Sequence, residues 1–189
     1  LKNVMRTAAA AAVMVSLGVG VANAQACQET QFSSANAENY LKAETELMVN
    51  ENAPAALQAL NALRAQTLNC YEEGAALQLS AAIKIRTEDY NGAIRDLNEA
   101  LDKGYIAPDN RKSTFYNIAQ LYLTTDNKDK ALEYYDRWMA AGGVPDRSQK
   151  WTLAVLYQQK DDFAQSLVWA EQVFAADGPN ADRSVYDFL

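Results

Sequence analysis

Four times along this chain a small residue opens an amphipathic segment. Ala56, Ala93, Ala131 and Ser166 stand 37, 38 and 35 residues apart. A recurrence of that length points to stacked supersecondary units rather than one irregular core. The unit is clearest in residues 115–139, FYNIAQLYLTTDNKDKALEYYDRWM. Phe115, Ile118, Ala119 and Tyr122 recur at three- and four-residue steps, so they share one face of a helix. The turn-prone run Thr125-Asp126-Asn127-Lys128 interrupts the pattern. Ala131, Leu132, Tyr135, Trp138 and Met139 then form a second apolar face. Ala119 is small enough to let two such helices approach closely.

The same hairpin is expected three more times. Residues 36–68 hold a first, degenerate unit: Tyr40, Ala43 and Leu47 line one helix, and Ala56, Leu57, Leu60 and Leu63 the other. Pro54 sits at the second helix's start, where a missing N–H does no harm. Residues 73–104 form the second unit, with Leu77, Ala81 and Ile85 expected inward and Gly104 as a helix stop. Residues 112–143 hold the third. Residues 148–177 hold the fourth, with Leu153, Ala154, Tyr157, Phe163, Ser166, Leu167, Ala170 and Val173 in repeat positions. Residues 182–189 read as the start of a further helix or a cap. Their apolar side chains, Val185, Tyr186, Phe188 and Leu189, lead to the expectation that the natural chain continues past Leu189. A generic bundle of the same hairpins is the structural alternative.

The order aromatic, aliphatic, small, aromatic, then small and aromatic, filled by Phe115, Ile118, Ala119, Tyr122, Ala131 and Tyr135, resembles a tetratricopeptide (TPR) repeat. Residues 88–94, EDYNGAI, are similar to the G-D-Y-x-x-A-[IL] turn of such units. Lys84 departs from the pattern, falling where an aromatic is usual; its stem is expected to cover a neighbour while the amine reaches water. The resemblance implies an all-α, right-handed α-solenoid of about four TPR helix-turn-helix repeats, with the first helices lining a concave, partner-binding face. Its positions imply Tyr116, Gln120 and Leu123 in the third unit, Trp151, Val155 and Gln158 in the fourth, and Gln78, Ala82, Ile85 and Arg86 in the second. Tyr116 and Trp151 would be the anchors, or else packing residues between repeats. Asn117 matches one asparagine of the carboxylate clamp in chaperone-binding TPR domains, but Ser148 and Thr152 replace the basic partners, so no clamp is expected. The run from Tyr116 to Trp138 is similar to the periplasmic TPR component that accompanies TonB–ExbB–ExbD systems.

Residues 1–24 have the layout of a secretory signal peptide. Lys2 and Arg6 precede an apolar, small-residue run, and A-x-A sites place the cut near Ala24 or Ala26. The run of about 15 apolar residues is short for a membrane span. The alternatives are a membrane anchor or a lipoprotein modified at Cys27. A periplasmic or secreted protein is expected, without a stable membrane anchor after cleavage. Residues 25–35 read as irregular. With Lys2 and Arg6 removed, 15 basic residues face 24 acidic ones, a net charge of −9. Such a chain, lacking a basic cluster, is a poor partner for nucleic acid or anionic membranes.

The sequence holds no histidine, which removes His-based acid–base and nucleophile systems and most zinc sites. No catalytic residue, metal ligand set or cofactor is expected, and the chain is read as a non-enzyme. Cys27 and Cys70, its two cysteines, are expected to form one disulfide, because they flank an antiparallel helix pair at the same end; two free thiols are the alternative. The function expected is a protein-interaction scaffold for an envelope protein or peptide, with a TonB-system component as the narrower expectation. The other readings are an N-terminal module of a longer envelope-assembly or division protein, or a glycan-binding module.

Overall fold

The computed structural model describes residues 27–178 and 183–188. The signal-peptide reading of residues 1–24 and the A-x-A cut lie outside the described residues. Every regular element among the described residues is helical. In order they are α1 (Ser34–Met48), α2 (Ala53–Arg64), α3 (Cys70–Arg86), α4 (Tyr90–Asp102), α5 (Pro108–Thr124), α6 (Lys128–Ala140), α7 (Arg147–Gln158), α8 (Phe163–Asp177) and α9 (Arg183–Phe188). They pair as hairpins α1/α2, α3/α4, α5/α6 and α7/α8. Each hairpin lies against the next through α2/α3, α4/α5 and α6/α7, and α9 packs on α8. The chain is an all-α solenoid of repeated hairpins.

The four hairpin turns share one construction. Glu51, Glu88, Asp126 and Asp161 each adopt a positive φ, between 51° and 62°. Each precedes an N-cap of the second helix: Asn52, Asp89, Asn127 and Asp162. Each cap side chain accepts a hydrogen bond from the backbone N–H three residues on, at Ala55, Gly92, Lys130 and Gln165, satisfying one orphan donor of the helix start. The caps fall four residues before Ala56, Ala93, Ala131 and Ser166, so the sequence period is the period of these turns. A left-handed non-glycine residue costs about 1–2 kcal/mol, and Glu88 stands where the TPR turn has glycine. Glu88→Gly is therefore expected to raise stability by about 0.5–1 kcal/mol, less than the full strain because glycine loses more entropy on folding. A shift of the urea midpoint at unchanged slope would show it; a lower midpoint would contradict it.

The core follows the hairpins. Ala43, Leu47, Leu60, Leu63, Leu79 and Ile83 pack the first hairpin against α3. Ile118, Ala119, Leu132, Tyr135, Trp138 and Leu153 belong to the central cluster, which spans α3 to α7. Ile106, in the α4–α5 connection, is buried with Leu77 and Ala100. Gly104, at φ 71°, turns the chain after α4, and the N–H of Tyr105 donates to the carbonyl of Ala100.

Three expectations need correction. Ile83, not Ile85, faces the core of α3; Ile85 is 39% exposed. Phe163, Leu167 and Leu57 occupy repeat positions yet stand exposed. The amine of Lys84, on a side chain that stays 30% exposed, also finds a charged partner. It lies 2.7 and 2.8 Å from the two carboxylate oxygens of buried Asp96, so an ion pair joins α3 to α4 where the repeat usually places a ring. The first helix of the second unit also starts earlier than expected, with Cys70 inside it.

That early start matters for the N-terminal segment. Cys27 and Cys70 are disulfide-bonded, with Cα atoms 5.6 Å apart, and the Cys27 N–H donates to the carbonyl of Gly104. Glu72 sits in the first turn of α3 and is 1% exposed. Its carboxylate accepts from the N–H and hydroxyl of Ser33 (2.7 Å each), the Asn36 amide (2.8 Å) and the N–H of Asn69 (3.0 Å). Burial alone would raise the Glu72 carboxyl, but the hydrogen bonds from Asn69, Ser33 and Asn36 outweigh it and hold the group below the usual glutamate range. The N-caps of α1 and α3 are thus tied to one carboxylate.

Candidate functional site

The first helices of neighbouring hairpins do not all touch. The backbones of α1 and α3 pack together, whereas no Cα of α3 comes within 8 Å of one in α5. With Ile106 anchored on Leu77 and Ala100, α5 starts at Pro108 against α4 rather than α3. The gap is a groove of about 760 Å³.

One wall of the groove is α3, through Gln78, Ala82 and Ile85. The other is a stripe on α5: Asn110, Ser113, Asn117, Gln120 and Thr124. These five recur at steps of three and four residues, so they share one helical face. At 1.5 Å per residue the stripe runs for about 21 Å. Tyr90, Leu97 and Leu121 also line the groove, and no lining residue carries a charge. The Gln120 amide N–H donates to the Tyr135 hydroxyl at 2.5 Å, leaving the amide oxygen as an acceptor. Asn110 and Asn117 direct no side-chain hydrogen bond to another described residue, and both are exposed.

A second groove, of about 380 Å³, lies between the end of α5 and α7. Leu123, Trp151, Val155 and Leu156 line it, and the Asp126–Lys128 pair stands at its rim. The sequence-derived residues thus divide. Gln78, Ala82, Ile85 and Gln120 line the first groove, and Leu123, Trp151 and Val155 the second. The Trp151 ring also meets Phe188 of α9 at 4.9 Å. Tyr116 lines neither groove: its ring packs 5.2 Å from Trp138 and 6.0 Å from Tyr135. Gln158 is exposed at the end of α7. Arg86 reaches back to Glu51, in the first hairpin's turn, at 3.3 Å. Asn110, Ser113, Asn117 and Thr124 escaped the sequence reading as partner-facing residues; the three- and four-residue recurrence of neutral hydrogen-bonding residues along α5 was the signal available.

A third cavity is less suited to a partner. A cleft of about 430 Å³ between the first two hairpins holds Arg64, Glu73, Asp96, Glu99 and Lys103. Its charges neutralise one another: Lys103 lies 2.8 Å from Glu99 and 3.9 Å from Glu73, and Asp96 holds Lys84. Among the described residues, the one cluster with metal-ligand spacing is Cys27, Glu29 and Cys70, and both sulfurs are committed to the disulfide. No helix among the described residues is long and apolar enough to cross a membrane.

Tyr135, on the far side of Gln120, is 1% exposed. Burial pushes its hydroxyl up to about 12, and the hydrogen bond from Gln120 works in the other direction. Its folded value lies above the ordinary value of about 10, so its contribution to stability is complete below pH ~10 and is lost as pH rises toward 12. Among the ten tyrosines, Tyr135 is expected to ionise with the last group in an ultraviolet titration. Tyr135→Phe should remove that late step; a titration unchanged by the substitution would contradict the assignment.

No curated protein and no solved structure matches the chain. Residues 113–137, which span most of the α5/α6 hairpin, match the family model described as Tetratricopeptide repeat. That match puts a tetratricopeptide repeat at the α5/α6 hairpin of a solenoid of repeated helical hairpins, and it supports the tetratricopeptide reading of the fold.

Proposed function

We propose that this protein is a non-catalytic interaction scaffold, which takes a protein or peptide partner along the face formed by its first helices. Tetratricopeptide repeats in general mediate protein–protein interaction, and their helical fold is typically a scaffold rather than a catalyst. The observation that carries the reading is the separation of α3 from α5, which leaves a groove of about 760 Å³ lined by Gln78, Ala82, Ile85 and Gln120. The second groove, with Leu123, Trp151 and Val155, extends the same row of first helices. The partner belongs to the cell envelope, on the reading of residues 1–24 as a signal peptide. The narrower assignment, to energy coupling with TonB–ExbB–ExbD, draws on the resemblance of residues 116–138.

Ala82 is half-buried on the groove wall, and an arginine there would fill the space between α3 and α5. Affinity capture from periplasmic extract, with mass spectrometry, should recover partners with the wild-type protein that Ala82→Arg loses while its circular dichroism stays unchanged. Recovery of the same partners by a folded Ala82→Arg variant would contradict the groove assignment. TonB-system components among the lost proteins would favour the narrower role, and assembly or division proteins would favour the broader one.

A further inference from the structure

The segment before α1, the start of α3 and the α4–α5 connection enclose a cavity of about 370 Å³. None of its lining residues belongs to either groove. Tyr71, Tyr105, Ile106 and Pro108 give it apolar walls, and Glu29 and Arg111 are its charged residues. Apolar walls with a few fixed polar groups are the usual make-up of a small-molecule site.

The walls are held in place by the fold. Ile106 is buried, and the N–H of Tyr105 donates to the carbonyl of Ala100. Tyr105 lies so close to Gly74 that a Cβ added there would come within 2.9 Å of its Cβ and its carbonyl oxygen. On the facing side, the bridge to Cys70 and the bond from the Cys27 N–H to Gly104 fix the N-terminal segment. Arg111 is half-buried in the first turns of α5. Its Nε–H donates to the carbonyl of Ile106 at 3.2 Å, which orients the guanidinium. Arg111 forms no ion pair with a described residue. Glu29 does not neutralise it; that carboxylate lies against the bridge, 2.7 Å from the Cys70 Sγ. The terminal N–H groups of Arg111 thus remain as a fork that fits a carboxylate.

We infer that this cavity binds a small monocarboxylate with an apolar body, an aryl- or alkyl-alkanoic acid. Arg111 takes the carboxylate, and the apolar body lies against Tyr71, Tyr105 and Pro108. The charge of Glu29 disfavours a second carboxylate on the ligand. Cys27 is part of the wall, so the site requires the closed bridge. The site is separate from the partner grooves and does not depend on them.

The test is calorimetric titration of the purified, oxidised protein with 3-phenylpropionate and with octanoate. At least one acid is expected to bind one-to-one with a Kd below about 1 mM. The uncharged amide of that acid should bind the same protein at least tenfold more weakly, a comparison that no folding defect can affect. Arg111→Gln, with unchanged circular dichroism, should weaken the acid at least tenfold and the amide hardly at all. Octanedioate should bind more weakly than octanoate, and Glu29→Gln should narrow that gap. Cys27→Ser/Cys70→Ser, titrated well below its Tm, should lose the acid. No binding of either acid at about 5 mM, or an amide or an Arg111→Gln protein that binds as tightly, would overturn the inference. Tighter binding of a peptide ending in a free Phe carboxylate than of 3-phenylpropionate would also overturn it, in favour of a chain terminus.

Discussion

Replacing Glu72 with alanine is expected to lower stability by about 3–5 kcal/mol, and the loss should be concentrated in α1 and α2. A hydrogen bond to a charged group contributes roughly 1.5–3 kcal/mol, and a buried donor left unsatisfied costs about 1–3 kcal/mol. Glu72 accepts four such bonds, from Ser33, Asn36 and Asn69. Its removal strands donors at the N-caps of both α1 and α3, and water entering the space recovers part of the cost. Because each hairpin of a solenoid touches only its neighbours, hydrogen exchange should quicken in the first hairpin well before the third. The pH dependence follows from the same bonds. The folded carboxyl sits below the ordinary glutamate range. Its contribution is therefore complete above that range and falls away as pH drops through the depressed value. Glu72→Gln should flatten this acid limb. A loss under 1 kcal/mol in Glu72→Ala, with the first hairpin still protected, would show that the carboxylate is not what ties α1 to α3.

Opening the Cys27–Cys70 bridge should cost about 4 kcal/mol, the chain-entropy value for a closed loop of roughly 44 residues. The bond joins the segment before α1 to the first residue of α3, 43 positions on, and so encloses the whole first hairpin. At roughly 2–4 °C per kcal/mol for a chain of this size, Tm of the Cys27→Ser/Cys70→Ser protein should fall by about 8–16 °C. The bridge and Glu72 fasten the same segment, two positions apart on α3, so their losses should not add. The triple variant is expected to lose clearly less than the sum of the two. Full additivity would mean that bridge and carboxylate secure separate parts of the fold.

What was legible in the sequence was what is local. The hairpins could be read because helical period, turn residues and the small opening residue all lie within a few positions of one another. The Cys27–Cys70 pair could be placed because an antiparallel hairpin brings its two ends together. What escaped depended on partners distant along the chain, in another unit for Glu72 and across one hairpin for Lys84 and Tyr116. Glu72 looks like any acidic residue in a first helical turn; its burial comes from Ser33 and Asn36, more than 35 positions away. Lys84 filled an aromatic slot because Asp96, twelve residues later, provides a charge to meet it. Tyr116 was read as an anchor of the concave face or else as a packing residue, and Trp138 and Tyr135 offer it an aromatic nest. The neutral stripe from Asn110 to Thr124 gained meaning only once Ile106 was seen anchored on Leu77 and Ala100, with α5 standing off α3.

The most direct test of the scaffold account is site-specific photo-crosslinking in the native cell. A benzophenone side chain replaces Asn117, on the groove stripe, or Gln165, exposed on α8 away from both grooves. The account predicts a discrete crosslinked partner from position 117, absent from position 165 and lost when Ala82→Arg is added. Crosslinks that form from position 165 and not from 117, or that survive Ala82→Arg unchanged, would contradict it.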